Sequence, residues 1–292
     1  MPSFFIIGVQ KSATSFIHSI LSQDKNISLP YRKETHFFSI NNKKGLNWYL
    51  KMFKSNEYNI RGEVDPSYIF YPNSLLNMKN LIKNPKIIIL FRKPIDRAFS
   101  HYLMSRKRNY EKLSFNKALL EEEKRLFEDS NLFSFSHHSY MKRGSYSKQI
   151  DKCKKVFPNS KYLYIKFDDL LNKNKINTFK NIYNFLNIDF NQDINFNTYK
   201  NVATQNRFHL LSTLLYNKSI IRKIAKSIIP TEYARFKVFK LIEQFNSYKK
   251  SNTSNIADYS KLNKRFIDWN NEQSVLLNKS TNLNTDNWII NE

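Results

Sequence analysis

Cysteine, glycine and acidic residues are all scarce in this 292-residue chain. Cys153 is the single cysteine, so no intrachain disulfide can form, and the pattern is unlike that of a disulfide-stabilised secreted domain. Only four glycines and eight prolines are present, so a glycine at a turn is informative. No apolar run is long enough to span a bilayer, and the first residues lack a basic leader and a cleavage site. We therefore expect a cytoplasmic protein, or one that rests on the inner face of a membrane.

Basic residues outnumber acidic ones two to one, at 48 against 24, which gives a formal net charge of +24. Such a balance favours acidic partners: a nucleic acid, an anionic lipid, a phosphorylated cofactor or an acidic polysaccharide. The chain is rich in lysine, asparagine and isoleucine, so part of the basic excess reflects composition alone. Hydrophobic residues make up 41% of the chain, which is enough for a core and excludes a wholly disordered protein.

Short apolar runs alternate with helical patterns in the first part of the chain. Runs that are apolar on both faces are typical of buried parallel strands, and they lie at Phe4–Val9, Lys86–Phe91 and Tyr162–Lys166, with a weaker one at 60–65. Helical patterns occupy Thr14–Ser22, Ile95–Arg108, Phe115–Phe127 and Tyr146–Val156. The alternation predicts an α/β fold with a central parallel sheet flanked by helices. We predict one domain over 1–292, with a core over 1–200 and a mostly helical C-terminal portion over about 205–292.

The stretch FFIIGVQKSATSFIHSIL at 4–21 passes from a strand into a helix through a short loop. Helix N-termini carry unpaired backbone N–H groups and partial positive charge, so an anion here would meet amides, hydroxyls and the Lys11 ammonium. Only two residues separate Gly8 from Lys11, which is too few for the Walker spacing of a magnesium-triphosphate loop. The alternative is an ordinary strand–turn–helix with a surface lysine.

The sequence KETHFF at 33–38 places a glutamate beside aromatic bulk. A carboxylate that is partly desolvated by such neighbours has a raised pKa and can act as a general base. Glu34 is therefore a candidate base. On these six residues alone, a solvated glutamate next to two core phenylalanines is the favoured interpretation.

A third segment, ILFRKPIDRAFSHY at 89–102, again follows a strand with a helix. Arg92 would stand at the carboxyl end of the strand, where ligands bind in open α/β sheets. Its forked guanidinium and the hydroxyl of Ser100 could bind one phosphate. The alternative is a helix start stabilised by Asp96, with the other arginines on a solvated face.

Taken in order, these segments resemble the sulfotransferase superfamily, whose members use 3′-phosphoadenosine 5′-phosphosulfate (PAPS), and more closely a bacterial-like member of its carbohydrate, heparan-sulfate-type branch. GVQKSATS is similar to the family's 5′-phosphosulfate loop, G-x-x-K-[SAC]-G-T-[ST], and LFRKPIDRAFSHY to its 3′-phosphate segment. KETHFF is similar to K-E-x-x-[FY]-F of the carbohydrate branch, and GEVDPSYIF at 62–70 and the stretch at 143–171 to later segments. Five motifs in the expected order carry the resemblance, which implies a P-loop-NTPase-like fold.

The resemblance also implies a site. Lys11 would stabilise the charge that develops on the leaving oxygen, and Glu34 would be the base that deprotonates the acceptor. The donor would be PAPS, its product 3′,5′-adenosine bisphosphate, and no metal ion is expected. The residues implied in donor binding are Gln10, Lys11, Ser12, Ala13, Thr14, Ser15, Arg92, Ser100, Tyr146 and, in the segment at 199–211, Arg207 or Lys200. Those implied at the acceptor are Lys33, His36, Asp65 and His101.

The chain departs from the family pattern at three positions. Ala13 stands where the loop usually has glycine, and an alanine is costly there if φ is positive. Val64 replaces the lysine of the animal heparan-sulfate enzymes and Asp65 replaces serine or threonine, which predicts a different acceptor. Asp65 is either a second acid or base or a turn-capping residue before Pro66.

The predicted reaction is sulfuryl transfer to a hydroxyl or amine of a glycan, with a small molecule or a lipid-linked sugar as the next choice of acceptor. An acidic acceptor and peripheral membrane contact are compatible with the charge, and no nucleic acid is expected. Two other functions stay open. A P-loop kinase would show Walker spacing and a magnesium-binding aspartate, and a basic nucleic-acid-binding protein would scatter its basic residues without regard to strand ends.

Overall fold

The computed structural model describes residues 1–53, 60–128, 132–172, 174–197, 204–208, 211, 228–229, 231–249 and 256–291. The chain forms two compact units, each drawn from distant stretches of sequence: the first from 1–97, 142–200 and 263–292, the second from 98–141 and 201–262. The single-domain organisation expected from the sequence stays a prediction. Within the described ranges, no helix is long and apolar enough to cross a membrane.

A five-stranded parallel sheet forms the centre of the first unit, in the strand order β2-β3-β1-β4-β5. The strands are β1 (Phe4–Gly8), β2 (Ile27–Ser28), β3 (Ile60–Val64), β4 (Lys86–Phe91) and β5 (Tyr162–Lys166). This confirms the central parallel sheet predicted from the sequence. The exception is β2, whose two residues are too few to show any periodicity.

Helices of the first unit flank the sheet, as predicted. The helices of both units are, in chain order, α1 (Thr14–Leu21), α2 (Leu46–Leu50), α3 (Ser74–Lys79), α4 (Pro94–Lys107), α5 (Phe115–Leu120), α6 (Glu122–Glu128), α7 (Leu132–His137), α8 (Tyr146–Val156), α9 (Lys175–Leu186), α10 (Glu232–Phe245) and α11 (Lys264–Thr281). Short 3-10 turns lie at Asn42–Lys44, Lys142–Gly144, Phe167–Leu170, Tyr259–Lys261 and Asp286–Trp288.

Alternate residues of the central strands point to two separate apolar layers. Phe5 and Ile7 pack in one layer with residues of α8 and α11, and Phe4 and Ile6 pack in the other with residues of α1 and α9. Because both faces are covered, these strands are apolar throughout rather than alternating. The carboxyl ends of the parallel strands therefore form one edge that the flanking helices leave for the connecting loops.

The second unit is mostly helical, as predicted for the C-terminal portion, but it contains a small antiparallel ladder that the sequence did not predict. Strands β6 (Thr204–Asn206) and β7 (Ser247–Lys249) pair across three residues. The helical pattern predicted over 115–127 is confirmed except for a break at Glu121, which divides it into α5 and α6. Next to the break, the buried Glu122 carboxylate accepts a hydrogen bond from the Met141 backbone N–H at 2.6 Å.

Candidate active site

The loop between β1 and α1 has the backbone of an anion-binding concavity. Helix α1 begins at Thr14 with no side-chain cap and no acidic residue in its first turn. Lys11 and Ala13 have left-handed backbone conformations, with φ of 76° and 63°, and successive N–H groups in such turns face a common point. The amides at the start of α1 are therefore available to a negatively charged group.

Two buried polar atoms of this loop have no hydrogen-bond partner among the described residues: the hydroxyl of Ser12 and the side-chain Oε1 of Gln10. Ser12 is fully buried. Buried polar atoms are paired in the great majority of cases, and these two atoms are available to hydrogen-bond a group bound in the loop. Thr14 is buried and Ser15 half-buried in the first turn of the helix.

Arg92 joins the end of β4 to the same loop. Its Nη1 donates to the Lys11 carbonyl at 3.3 Å, and its guanidinium lies 4.6 Å from the centre of the Phe167 ring. Tyr146 donates its hydroxyl to the Arg92 carbonyl at 2.8 Å, and burial raises the pKa of Tyr146. The structure thus places a buried guanidinium beside the loop, with the Tyr146 hydroxyl holding the strand end.

The positive φ of Ala13 makes Ala13→Gly a test of the loop, with Ala98→Gly in α4 as its control. Both changes remove one buried methyl group. At position 13, glycine also removes the cost of a left-handed backbone, which stabilises the folded state by roughly 1–2 kcal/mol. At position 98, glycine instead destabilises the helix interior by roughly 1 kcal/mol. We expect the free energy of unfolding, measured by urea denaturation, to be about 2 kcal/mol higher in Ala13→Gly than in Ala98→Gly. Equal losses would mean that the loop accepts alanine without cost.

A cluster of ionisable side chains lies against the end of β3. Glu34 forms an ion pair with Lys33 through Oε1, and its Oε2 lies 4.0 Å from Nε2 of His36. Nδ1 of His36 lies 2.9 Å from Oδ2 of Asp65, which also accepts the His36 backbone N–H at 2.8 Å. Asp65 is fully buried, whereas the side chains of His36 and Glu34 are 25% and 32% exposed. A chain of acid–base groups therefore leads from a buried carboxylate to a reachable one.

The position of His36 between two carboxylates sets its protonation. Burial lowers the pKa of His36, but the charge of Asp65, the hydrogen bond to it and the charge of Glu34 more than offset this and leave that pKa raised. Asp65 also accepts the Ser67 backbone N–H at 3.0 Å, so the turn-capping role considered from the sequence and the contact to His36 coexist. The geometry can hold and move a proton at Nε2 of His36 or at the Glu34 carboxylate.

Three predicted site residues belong to the second unit. Ser100 and His101 are buried on α4, and the His101 ring lies edge-on to Tyr140 at 5.1 Å. Arg207 is exposed and its backbone N–H donates to the Asn246 carbonyl at 2.7 Å. Lys200 lies outside the described residues. The roles of these residues in the site stay predictions.

The sulfotransferase domain family matches residues 1–261, most of the chain. The chain is a sulfotransferase family member. A solved structure of a sulfotransferase from Alicyclobacillus acidocaldarius is similar to it at 25% identity and a TM-score of 0.60, over 83% of this chain and 96% of that one. The family and fold predicted from the sequence are thereby confirmed.

Curated relatives of this family member match shorter stretches. The membrane-associated sulfotransferase kil1 of Dictyostelium discoideum is 33% identical over 109 residues, which is 36% of this chain and 23% of that protein. Heparan sulfate glucosamine 3-O-sulfotransferase 3A1 of Mus musculus is 25% identical over 172 residues, 59% of this chain and 42% of that protein. The chain therefore spans less than half the length of these curated relatives.

Sequence reasoning missed Glu63, which holds the acid–base segment of this sulfotransferase in place. Its fully buried carboxylate accepts the backbone N–H of Thr35 at 3.2 Å, the Thr35 hydroxyl, and the hydroxyls of Tyr49 and Tyr68 at 2.7 and 2.9 Å. Thr35 lies between Glu34 and His36, so Glu63 positions both. The sequence did contain a signal, a glutamate inside a predicted strand. Because a glutamate is almost never buried without partners, it predicts a set of hydrogen-bond donors around that carboxylate.

Glu63→Gln should flatten the pH dependence of stability. Burial, with the charge of Asp65, raises the pKa of Glu63 to about 7 from an ordinary value of 4.5. The folded state therefore binds this proton more tightly than the unfolded state, and the wild type loses stability as pH rises from about 4.5 to 7. We expect melting temperatures to fall less steeply over that window in Glu63→Gln. The exposed Glu123→Gln is the control, and parallel slopes in all three proteins would contradict the assignment.

Proposed function

We propose that this chain transfers the sulfuryl group of PAPS to a hydroxyl or amine of a glycan acceptor. Within the sulfotransferase family, one observation carries the proposal: the buried Ser12 hydroxyl that lacks a partner among the described residues, in a loop joined to the Arg92 guanidinium. Unpaired amides, a hydroxyl and a buried guanidinium at one edge of the sheet are the donor set that a phosphate-bearing ligand requires.

The residues present fit the donor. The loop amides with Ser12, Thr14 and Ser15 would hold the 5′-phosphosulfate, and Arg92 would hold the 3′-phosphate. The bound donor supplies the sulfuryl group, whose sulfur bonds to the acceptor atom as its bond to the bridging 5′-phosphate oxygen breaks. Because this transfer resembles phosphoryl transfer, positioning and electrostatics do most of the work, and Lys11 would stabilise the charge on the leaving oxygen.

The base of the proposed reaction is Glu34, with His36 and Asp65 behind it. Glu34 is the most exposed of the three, so an acceptor can approach it, whereas Asp65 is fully buried. The acceptor proton passes to the Glu34 carboxylate, and the neighbouring His36, held by Asp65, fixes the carboxylate and takes part in its charge balance. Lys33 forms an ion pair with Glu34 through Oε1, so the two side chains are held next to each other.

Supporting observations extend the proposal to the acceptor and the place of action. A relative acts, by its name, on heparan sulfate glucosamine, which supports a glycan acceptor, and the net charge of +24 supports an acidic or lipid-linked one. Another relative is named as membrane-associated, which supports peripheral contact with a membrane. We propose action in the cytoplasm or at the inner membrane face.

Ligand-dependent melting tests the proposed donor. A ligand that binds only the folded chain raises its melting temperature by mass action. We expect 3′,5′-adenosine bisphosphate at about 100 times its Kd to add about 2.7 kcal/mol of stability without magnesium, and adenosine 5′-monophosphate to add much less. A shift with ATP and magnesium but none with the bisphosphate would replace the proposal by a kinase.

A further inference from the structure

A buried arginine close to the acid–base cluster has unpaired nitrogens. Arg143, in the turn before α8, is 3% exposed, and its Nε and Nη1 have no hydrogen-bond partner among the described residues. Its guanidinium lies 4.1 Å from the centre of the Phe70 ring and 5.4 Å from that of Tyr71, with whose side chain it shares a hydrogen bond. Two of its three nitrogens thus make no hydrogen bond to any described group.

The environment of Arg143 is unfavourable to an unpaired cation. Burial lowers the pKa of Arg143 to about 10, and the like charge of the fully buried Arg97 acts in the same direction. Desolvating a guanidinium is costly unless an anion compensates it. Ionisable groups in such unfavourable environments cluster at functional sites, where a bound ligand can supply the compensating charge.

The turn that carries Arg143 is rigid. A Cβ added at Gly144 would lie 2.7 Å from the Trp269 ring and 3.7 Å from Pro94, so the backbone is packed against neighbours with no room for a side chain. The contacts of the guanidinium with the Phe70 ring and the Tyr71 side chain hold it in place. A fixed planar fork matches the two oxygens of a carboxylate or a sulfate, which it can bind through parallel hydrogen bonds.

The contacts of Arg143 associate it with the end of β3, where the acid–base cluster lies. Phe70 and Tyr71 follow β3, and the charge of Asp65 at the end of β3 acts on Arg143. Arg92, proposed for the donor, instead contacts Phe167, which follows β5. The two guanidinium groups therefore contact residues that follow different strands, and β1 and β4 lie between those strands in the sheet.

We propose that Arg143 binds an anionic group, a sulfate or a carboxylate, of the acceptor, and that the acceptor is therefore an acidic molecule. The inference rests on the proposed function and deepens it, because it adds a second oxyanion site beside the one for the donor.

Inorganic sulfate is the probe for this site, measured by titration calorimetry on protein saturated with 3′,5′-adenosine bisphosphate. The bisphosphate occupies the proposed donor phosphate sites, so the sulfate that still binds measures the affinity of the proposed site at Arg143. We expect wild-type protein to bind sulfate and Arg143→Gln to bind it at least about tenfold more weakly, with bisphosphate affinity unchanged. Arg143→Lys should bind sulfate with intermediate affinity. The exposed Arg265→Gln, which removes the same charge, should equal the wild type.

Two results would overturn the proposal: equal sulfate affinity in wild type and Arg143→Gln, or a bisphosphate affinity that falls about tenfold in Arg143→Gln, which would assign Arg143 to the donor. If Arg143→Gln does not fold, wild type that binds no sulfate up to about 10 mM overturns it as well. If wild type binds no bisphosphate, the proposed donor is wrong, and sulfate titration of the ligand-free protein still decides whether Arg143 is an oxyanion site.

Discussion

Glu34→Gln should lower sulfuryl-transfer turnover by roughly 10²–10⁴-fold, the usual contribution of a positioned general base. Glutamine keeps the shape of the side chain and can still contact Lys33 and His36, but it cannot accept the acceptor proton. The loop that holds the donor is unchanged, so the melting shift with 3′,5′-adenosine bisphosphate should stay the same. The measurement is single-turnover transfer from radiolabelled PAPS to a glycan acceptor, alongside the melting shift.

The control for this variant is Glu123→Gln, the same change at an exposed position of α6, which should leave turnover unaltered. His36→Gln separates the two groups of the cluster. If Glu34→Gln retained turnover within threefold and His36→Gln lost it, the base would be the imidazole that Asp65 holds at 2.9 Å. Turnover retained in both variants would remove the whole cluster from the proposed chemistry.

The sheet was predictable because its strands are buried on both faces. The runs at 86–91 and 162–166 and the helix at 146–156 were predicted with the bounds that the structure gives them. Their signals are local, since a strand covered by helices must be apolar at every position. The features that were missed depend on contacts between residues distant in sequence. Strand β2 is defined by its pairing with β3. The break between α5 and α6 lies next to Glu122, whose carboxylate accepts a hydrogen bond from the Met141 backbone N–H.

The candidate site was predictable to the extent that its residues stand at strand ends. Arg92 follows β4 directly and Lys11 is the third residue after β1, and the Arg92 guanidinium donates to the Lys11 carbonyl at 3.3 Å. Glu63 and Arg143 escaped notice because their importance lies in what surrounds them. Three side-chain hydroxyls and one backbone N–H donate hydrogen bonds to the first, and the second is a buried guanidinium with two nitrogens that have no partner among the described residues. Neither environment is a property of neighbouring sequence.

Lys11→Met is expected to lower turnover by about 10²–10³-fold, the size seen when one stabiliser of developing charge is removed. The negative charge on the bridging oxygen grows as the sulfuryl group leaves, so the ammonium interacts more strongly with the transition state than with the bound donor. Affinity for 3′,5′-adenosine bisphosphate should therefore fall much less than turnover. Kd from calorimetry and turnover under saturation separate the two quantities.

The backbone conformation at Lys11 determines which control variants suit Lys11→Met. Lys11 has φ of 76°, which costs methionine about as much as lysine, so Lys11→Met changes charge without changing backbone strain. Lys11→Gly removes the charge and relieves the strain together, and the Lys11 carbonyl that Arg92 contacts persists in both. We expect both to lose turnover equally, and the exposed Lys25→Met to lose none. Turnover that recovered in Lys11→Gly would assign the effect to loop geometry rather than to the ammonium.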